Sequence, residues 1–528
     1  MKSFSSILLF FFLYPTIQAQ IPSIVWERSF GGTRGEFPYD MCITRDGLIV
    51  VCGSSNSVNY DLVCKSDSLN LDYWIFCVDT LGNLQWSNCF GGSLDDEAFA
   101  IDTTIDGGFI VAGYANSIDG DVAGNHGSGD YWVIKLNSLG DMVWSRCYGG
   151  SKSELAFDVT VVSDGGFLIS GQSRSNDGDV SGHHGTDILL YDYWIVKTDS
   201  SGNIKWQKSL GGTENDYAMS GIEFSEGTYI VGGASKSSDG DLSFNCNPSG
   251  CYWIVMLDSI GNIFWDRALG GAGNDQCRKV LKTLDRKILC FGMSNSNDGL
   301  ITDNHGGTDY LVVTLDSLGN ILWSHSYGGA GEDLGRGIAL VADSGFIATG
   351  LSQNSAGTGQ VTNNYGKNDY WVIKTDINGN LEWEKNLGGS SDDIGSSCSI
   401  FKNRIYLSGF TASMDFDVSF NHNTDGFNGD VWLTKLDQNT GIESEHQETN
   451  LFTVVPNPAD GYVKINVFQR NFNECKITDL NGKIKYQNTL TDKNEQIIDT
   501  RNLINGTYFI ILISKEHVVT EKLFILHH

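Results

Sequence analysis

LQWSNCFGGSLDDEAFAIDTTIDGGFIVAGYANSIDGDVAGNHGSGDYWVIKLN, residues 84–137, holds four strand-sized apolar runs, LQWSNCF, AFAIDTTI, FIVAGYA and YWVIKLN, separated by residues that favour turns. The tryptophan followed by Gly-Gly recurs at Trp26, Trp86, Trp144, Trp206, Trp265, Trp323 and Trp383, at intervals of 60, 58, 62, 59, 58 and 60 residues. Ten residues after each Trp stands an acid: Glu36, Asp96, Glu154, Asp216, Asp275, Asp333 and Asp393. A glycine ends the next apolar run 27 residues after the Trp in six copies (Gly53, Gly113, Gly171, Gly233, Gly292, Gly350) and 26 after it in the seventh (Gly409). A D-Y-W triplet follows at Trp74, Trp132, Trp194 and Trp371, with variants at Trp253, Leu311 and Trp432. The two landmark classes account for all 13 tryptophans.

Four strands repeated seven times predict an all-β fold, a seven-bladed β-propeller over residues 21–440, in which radial repetition leaves only short, protected sheet edges. A repeat of about 59 residues is long for a solenoid coil and short for a sandwich. The phase of the pattern predicts how the ring closes. The chain opens on a Trp strand, IVWERSF, without its blade, and the seventh copy ends on VWLTKLD without its last strand. Residues 23–30 should therefore pair with residues 430–436.

Short, constant D-G-G and L-G-N turns predict one face of tight hairpins. The Gly-Gly links and the long segment before each D-Y-W share the other face, and that long segment holds nearly all the length variation. It is rich in Asp, Gly, Asn and His. Asp119 with Asp121, Asp177 with Asp179, Asp239 with Asp241, and Asp415 with Asp417 are candidate calcium ligands through hard oxygen donors, calcium being the one cofactor the sequence suggests. The same residues are also what turns require. His126, His183, His184, His305 and His422 fall in these loops too and read as solvated turn residues. No G-x-S-x-G, H-E-x-x-H or P-loop motif is present.

Composition narrows the partners. The chain has 528 residues, 64 acids against 35 Lys and Arg, and a net charge of −29, which makes nucleic acid an unfavourable partner. Its 63 glycines suit many tight turns, and 40% hydrophobic residues supply large cores. Residues 1–20 read as a secretory signal peptide: one Lys, an apolar run from Ile7 to Leu13, then small residues around Ala19. The mature protein is then exported without a transmembrane segment, and its cysteines meet an oxidising compartment. Cys246 and Cys251 bracket a small loop and form a candidate disulfide. Cys42 with Cys52, and Cys277 with Cys290, lie on neighbouring strands, either bridged or as free buried thiols.

After a polar linker, residues 441–450, the pattern changes. Residues 451–528 contain no tryptophan, and nine basic minus eight acidic residues give +1, leaving −30 on the rest.

The propeller repeat resembles kelch-type and quinoprotein-type units, and its D-x-x-G-N-x-x-W turn, as in Asp79 to Trp86, is similar to a tryptophan-docking hairpin. In that resemblance Trp26, Trp86, Trp144, Trp206, Trp265, Trp323 and Trp383 are structural, packing blade against blade. Residues 451–528 resemble the type A sorting domain of the Bacteroidetes type IX secretion system. The match is carried by VVPNPADGYVKINV (Pro456, Asn457, Pro458), the I-T-D-L-N-G-K stretch (Asn481, Gly482, Lys483), L-I-N-G-T-Y-F-I (Asn505, Gly506, Tyr508) and E-K-L-F-I (Glu521, Lys522). The resemblance implies a small β-sandwich recognised by the export machinery and then usually cleaved, with the passenger released or anchored at the surface. The basic residues usual near such an end are sparse, and His527 and His528 come last.

The destination implied is secretion or the outer cell surface after periplasmic transit. There the propeller reads as a non-enzymatic binding or adhesion module for a glycan or protein, using its variable acidic loop face. The alternative is a carbohydrate-active or quinoprotein-like propeller enzyme.

Overall fold

The computed structural model describes residues 21–62, 70–185, 189–353, 355–423, 428–437, 452–455, 461–467, 474–479, 483–489, 495–513 and 518–525. The predicted signal peptide and linker lie outside them. The chain divides between Gly441 and Ile442 into two compact units.

The first unit is built of seven four-stranded antiparallel sheets. The first comprises Glu36–Ile43, Ile49–Ser55, Asp72–Val78 and Leu84–Phe90, with the acid-bearing strand at one edge and the Trp strand at the other. Five more follow the same order. The seventh takes Asp393–Phe401, Arg404–Thr411 and Asp430–Asp437, and its fourth strand is the first of the chain, Ile24–Phe30, antiparallel to Asp430–Asp437 with Phe30 opposite Val431. The seven acid-bearing strands pack each against the next, and Asp393–Phe401 meets Glu36–Ile43. These are the inner strands of a closed propeller.

The landmarks now have physical causes. In each D-x-L-G-N hairpin the aspartate closes an Asx turn, as where Asp79 Oδ1 accepts the N–H groups of Leu81 and Asn83 at 2.8 and 2.9 Å. Gly82 holds φ +81°, a left-handed conformation that costs glycine little. The outer-strand tryptophan lies over the equivalent glycine of the next blade: a Cβ on Gly140 would stand 2.8 Å from the Trp86 ring. Trp26 does the same across the closure, and its Nε1 donates to Thr80 O at 3.0 Å. These docking rings are half-buried, except Trp383, which is buried. The fully buried tryptophans are those of the D-Y-W strands, Trp74, Trp132, Trp194, Trp253, Trp371 and Trp432.

The D-Y-W tyrosine bolts neighbouring blades together. Tyr73 Oη donates to Trp132 O (2.9 Å), Tyr131 to Trp194 O (2.8 Å), Tyr193 to Trp253 O (2.9 Å), Tyr252 to Leu311 O, Tyr310 to Trp371 O and Tyr370 to Trp432 O (3.0 Å each). Each hydroxyl passes directly over the constant glycine of the next blade, so Gly113, Gly171, Gly233, Gly292, Gly350 and Gly409 leave no room for a side chain. Val431 stands where the seventh tyrosine would be, and at that junction Lys435 Nζ joins Trp26 in donating to Thr80 O.

The second unit has a three-stranded sheet (Phe452–Val455, Tyr462–Val467, Glu495–Asp499) and a four-stranded one (Ile484–Thr489, Glu474–Asp479, Gly506–Ile513, Val518–Ile525). Val463, Ile465 and Ile498 from the first share one core with Ile477, Ile510, Leu512 and Leu523 from the second, which makes a β-sandwich.

Candidate functional site

The long-loop face is assembled on the Gly-Gly turns. Asp119, Asp177, Asp239 and Asp415 each accept the N–H of the residue after a Gly-Gly pair, namely Ser93, Ser151 and Thr213 at 2.8 Å and Ser390 at 2.7 Å. Their partners reach the first glycine of the same pair: Asp121 from Gly91 (3.2 Å), Asp179 from Gly149 (3.4 Å), Asp241 from Gly211 (3.3 Å) and Asp417 from Gly388 (3.4 Å). The eight candidate calcium ligands are thus distributed a pair to a blade around the ring, each engaged with backbone N–H. Among the described residues no group of three or more His, Cys, Asp or Glu is arranged to hold a metal ion.

Beneath them lies a layer of buried carboxyls. The acid ten residues after the Trp accepts the second Gly-Gly N–H, as Asp96 does from Gly92 and Glu154 from Gly150, both at 2.9 Å. Serine hydroxyls of the loop or of the strand end before it complete its shell, Ser117 to Asp96 at 2.7 Å and Ser173 to Glu154 at 2.8 Å. Beside it stands the D-Y-W aspartate of the preceding blade. A Cβ on Gly149 would stand 2.5 Å from Glu154 Oε2 and 2.7 Å from Asp130 Oδ1, which is why the pair begins with glycine.

Burial raises Asp130, Asp216 and Asp309 to about 6 and Asp369 and Glu36 to about 7, with the neighbouring carboxylate adding to it. The loop histidines belong to this layer. His126 Nδ1 lies 2.6 Å from Asp130 Oδ2, His184 2.8 Å from Asp192, His305 2.9 Å from Asp309 and His422 2.6 Å from Asp430. They are therefore not simply solvated turn residues: each is tied to a buried acid that the sequence places 4 or 8 residues on.

The central channel is the second feature of this face, and the sequence reading did not pick it out. All seven inner strands carry a β-bulge at one position, between Pro38 and Asp40, Ala98 and Ala100, Ala156 and Asp158, Ala218 and Ser220, Cys277 and Lys279, Gly335 and Gly337, and Gly395 and Ser397. Bulges re-aim side chains. Here the bulged residues are Tyr39, Phe99, Phe157, Met219, Arg278, Arg336 and Ser396, one level of the ring. Tyr39 and Phe99 meet edge to face at 4.8 Å, Phe99 and Phe157 at 5.9 Å, and Tyr39 Oη donates to Glu97 Oε2 at 3.1 Å.

One residue deeper, Lys279 crosses the channel to Asp158 (3.1 Å) and Asp40 (3.7 Å). Ser397 Oγ donates to Asp40 at 2.8 Å and Gly221 N–H to Asp158 at 3.0 Å, so this brace is saturated. The signal was present in the sequence as the residue three after each acid, but only the bulge shows that it faces inward.

Cys246 and Cys251 are joined by a disulfide, Cα to Cα 5.5 Å, with Cys251 in the place of the D-Y-W aspartate. Cys42, Cys52, Cys277 and Cys290 are free thiols. Cys89 is also disulfide-bonded, which the sequence reading did not select.

In the second unit Tyr508 is buried and its Oη donates to Ile504 O at 3.0 Å, while Lys483 and Asn505 are exposed and Gly506 begins a strand. Glu521 and Lys522 lie on Val518–Ile525. Pro456, Asn457, Pro458, Asn481 and Gly482 lie outside the described residues.

Residues 453–526 match the family of secretion-system C-terminal sorting domains. The chain therefore carries a type IX sorting domain, which directs it to secretion or the cell surface and implies contact with that export machinery. The chain is similar over part of its length to the regulatory protein FlaEY of Caulobacter vibrioides, 29% identical over 187 residues, 33% of this chain and 19% of that protein. The chain thus spans far less than two thirds of that relative. Among solved structures, the hydrazine synthase of Kuenenia stuttgartiensis aligns over 71% of this chain and 94% of its own at 11% identity and a TM-score of 0.44. Sqt1 of Chaetomium thermophilum aligns over 73% and 96% at 11% identity and 0.37. No helix among the described residues is long and apolar enough to cross a membrane.

Proposed function

We propose that the first unit is a non-enzymatic binding module that, once exported, engages an extracellular glycan or protein through its long-loop face. The observation that supports this reading is the distribution of the loop acids. They stand a pair to a blade, each held by its own Gly-Gly turn, and the channel acids Asp40 and Asp158 are engaged by Lys279, so among the described residues neither the exposed loop acids nor these channel acids form a free pair.

The test is a glycan array probed with the full-length protein, with calcium and with chelator. Recognition of a restricted set of glycans is expected, and loss on chelation would assign calcium to the loop aspartates. A blank array together with no captured surface protein would refute the binding reading. Deleting residues 451–528 should trap the protein in the periplasm, read by fractionation; undiminished export would remove the sorting role.

A further inference from the structure

The channel carries two cations that no acid among the described residues neutralises. Arg278 and Arg336 occupy the bulge positions of adjacent inner strands, Asp275–Lys282 and Glu332–Leu340. Neither has an ion-pair or hydrogen-bond partner among the described residues, in a chain with 64 acids. Lys279, next to Arg278, is by contrast fully engaged by Asp158 and Asp40. Burial first, and then the neighbouring Arg336 guanidinium, lower half-buried Arg278 to about 10, so two like charges stand side by side at the channel wall, Arg336 open to solvent. Such a pair is an unfavourable arrangement for the empty protein and a favourable one for a bound anion, since planar guanidiniums take a carboxylate through two parallel hydrogen bonds.

The other side of the same ring is aromatic, Tyr39, Phe99 and Phe157. The inner strands start at the loop face, so this level lies about 10 Å below it at the usual rise per residue. A ligand entering from the loops meets cations on one side and ring faces on the other. The surrounding charge of −29 opposes a dianion more strongly than a monoanion, which favours a carboxylate over a phosphate.

We propose that this end of the channel binds an acidic sugar, Arg278 and Arg336 holding its carboxylate and Tyr39, Phe99 and Phe157 its ring. The proposal rests on the loop-face binding reading and gives it a ligand class.

Titration calorimetry on the full-length protein with oligogalacturonate, oligoglucuronate, their carboxyl-reduced counterparts and acetate tests it. Binding of an acidic oligosaccharide is expected, with no binding of its reduced form, and with affinity at least about 10-fold weaker in Arg278→Gln/Arg336→Gln. Phe99→Ala should weaken the sugar without changing the response to acetate. Because two repelling charges are removed, the arginine double variant should melt at or above the wild-type temperature. Equal binding of neutral forms, binding unchanged in the double variant, or a double variant that melts lower would each overturn the proposal. If the array finds only neutral glycans, the acidic-sugar assignment fails and the loop-face reading stands; a blank array removes the latter.

Discussion

Gly171→Ala should cost more than about 4 kcal/mol, placing it among the severe single substitutions. The new Cβ would collide with the carbonyl oxygen of Leu155 on the paired inner strand and stand 2.5 Å from Tyr131 Oη of the preceding blade. The first obstacle is backbone within a sheet and cannot swing aside. Removing only the hydroxyl, Tyr131→Phe, deletes one buried hydrogen bond and leaves the Trp194 carbonyl without its donor, at a cost of roughly 1–3 kcal/mol. The double variant should recover little, because the Leu155 carbonyl remains. Urea unfolding midpoints give the comparison. A Gly171→Ala protein within about 1 kcal/mol of wild type would mean that the blade shifts freely and that the fixed glycine has another cause.

The second large effect is on pH dependence. Glu36 and Asp369 titrate near 7 in the folded protein, and Asp102, Asp130, Asp216 and Asp309 near 6, all raised first by burial, against about 4 when unfolded. Between about pH 4 and 7 the folded state therefore binds more protons than the unfolded one. Stability must rise as pH falls through that window.

His126, His184 and His422 act in the same direction. Burial of the ring lowers all three, most of all His126 and His422, but the aspartate partners outweigh it and raise them, so their contribution is complete below the ordinary imidazole value and fades as pH rises through the folded one. Below about pH 4 the sign reverses, because the hairpin aspartates, Asp79 and Asp376 among them, are lowered by their Asn83 and Asn380 contacts even against burial. A carboxyl raised from about 4 to about 6 corresponds to about 3 kcal/mol. The free energy of unfolding should thus be greatest near pH 4 and exceed that at pH 8 by several kcal/mol, read from denaturation curves. A midpoint that is flat or highest at pH 8 would show that these carboxyls stay ionised. Buried oxygens without a donor, Asp130 Oδ1, Asp309 Oδ1 and Asp369 Oδ1, are the places where a proton would relieve them.

Much of this architecture was legible because a propeller is local. Each blade is a meander of neighbouring strands, so Trp26 to Trp383 at near-constant spacing, the fixed glycines and the opening and closing strands suffice to fix strand number, order and the junction of Ile24–Phe30 with Asp430–Asp437. The C-terminal motifs were readable for a similar reason, as an ordered set within about 80 residues.

The site was legible only in part. Asp119, Asp177, Asp239 and Asp415 stand out in sequence as paired acids, but their hydrogen bonds to Ser93, Ser151, Thr213 and Ser390 cross some 26 residues and are set by how two loops meet. Likewise Asp130 and Glu154 belong to different blades and become a buried pair only when the blades pack. Arg278, Arg336 and Phe99 look like ordinary alternating residues, and a bulge shifts by one which of them faces inward.

By itself, then, the amino-acid sequence determined the repeating unit, its closure and the sorting domain, since these depend on spacing along the chain. Tertiary structure alone decided which carboxyls lose their water and hold their protons to higher pH, and which seven side chains converge in the channel. Those properties depend on distances between blades, which no periodicity encodes.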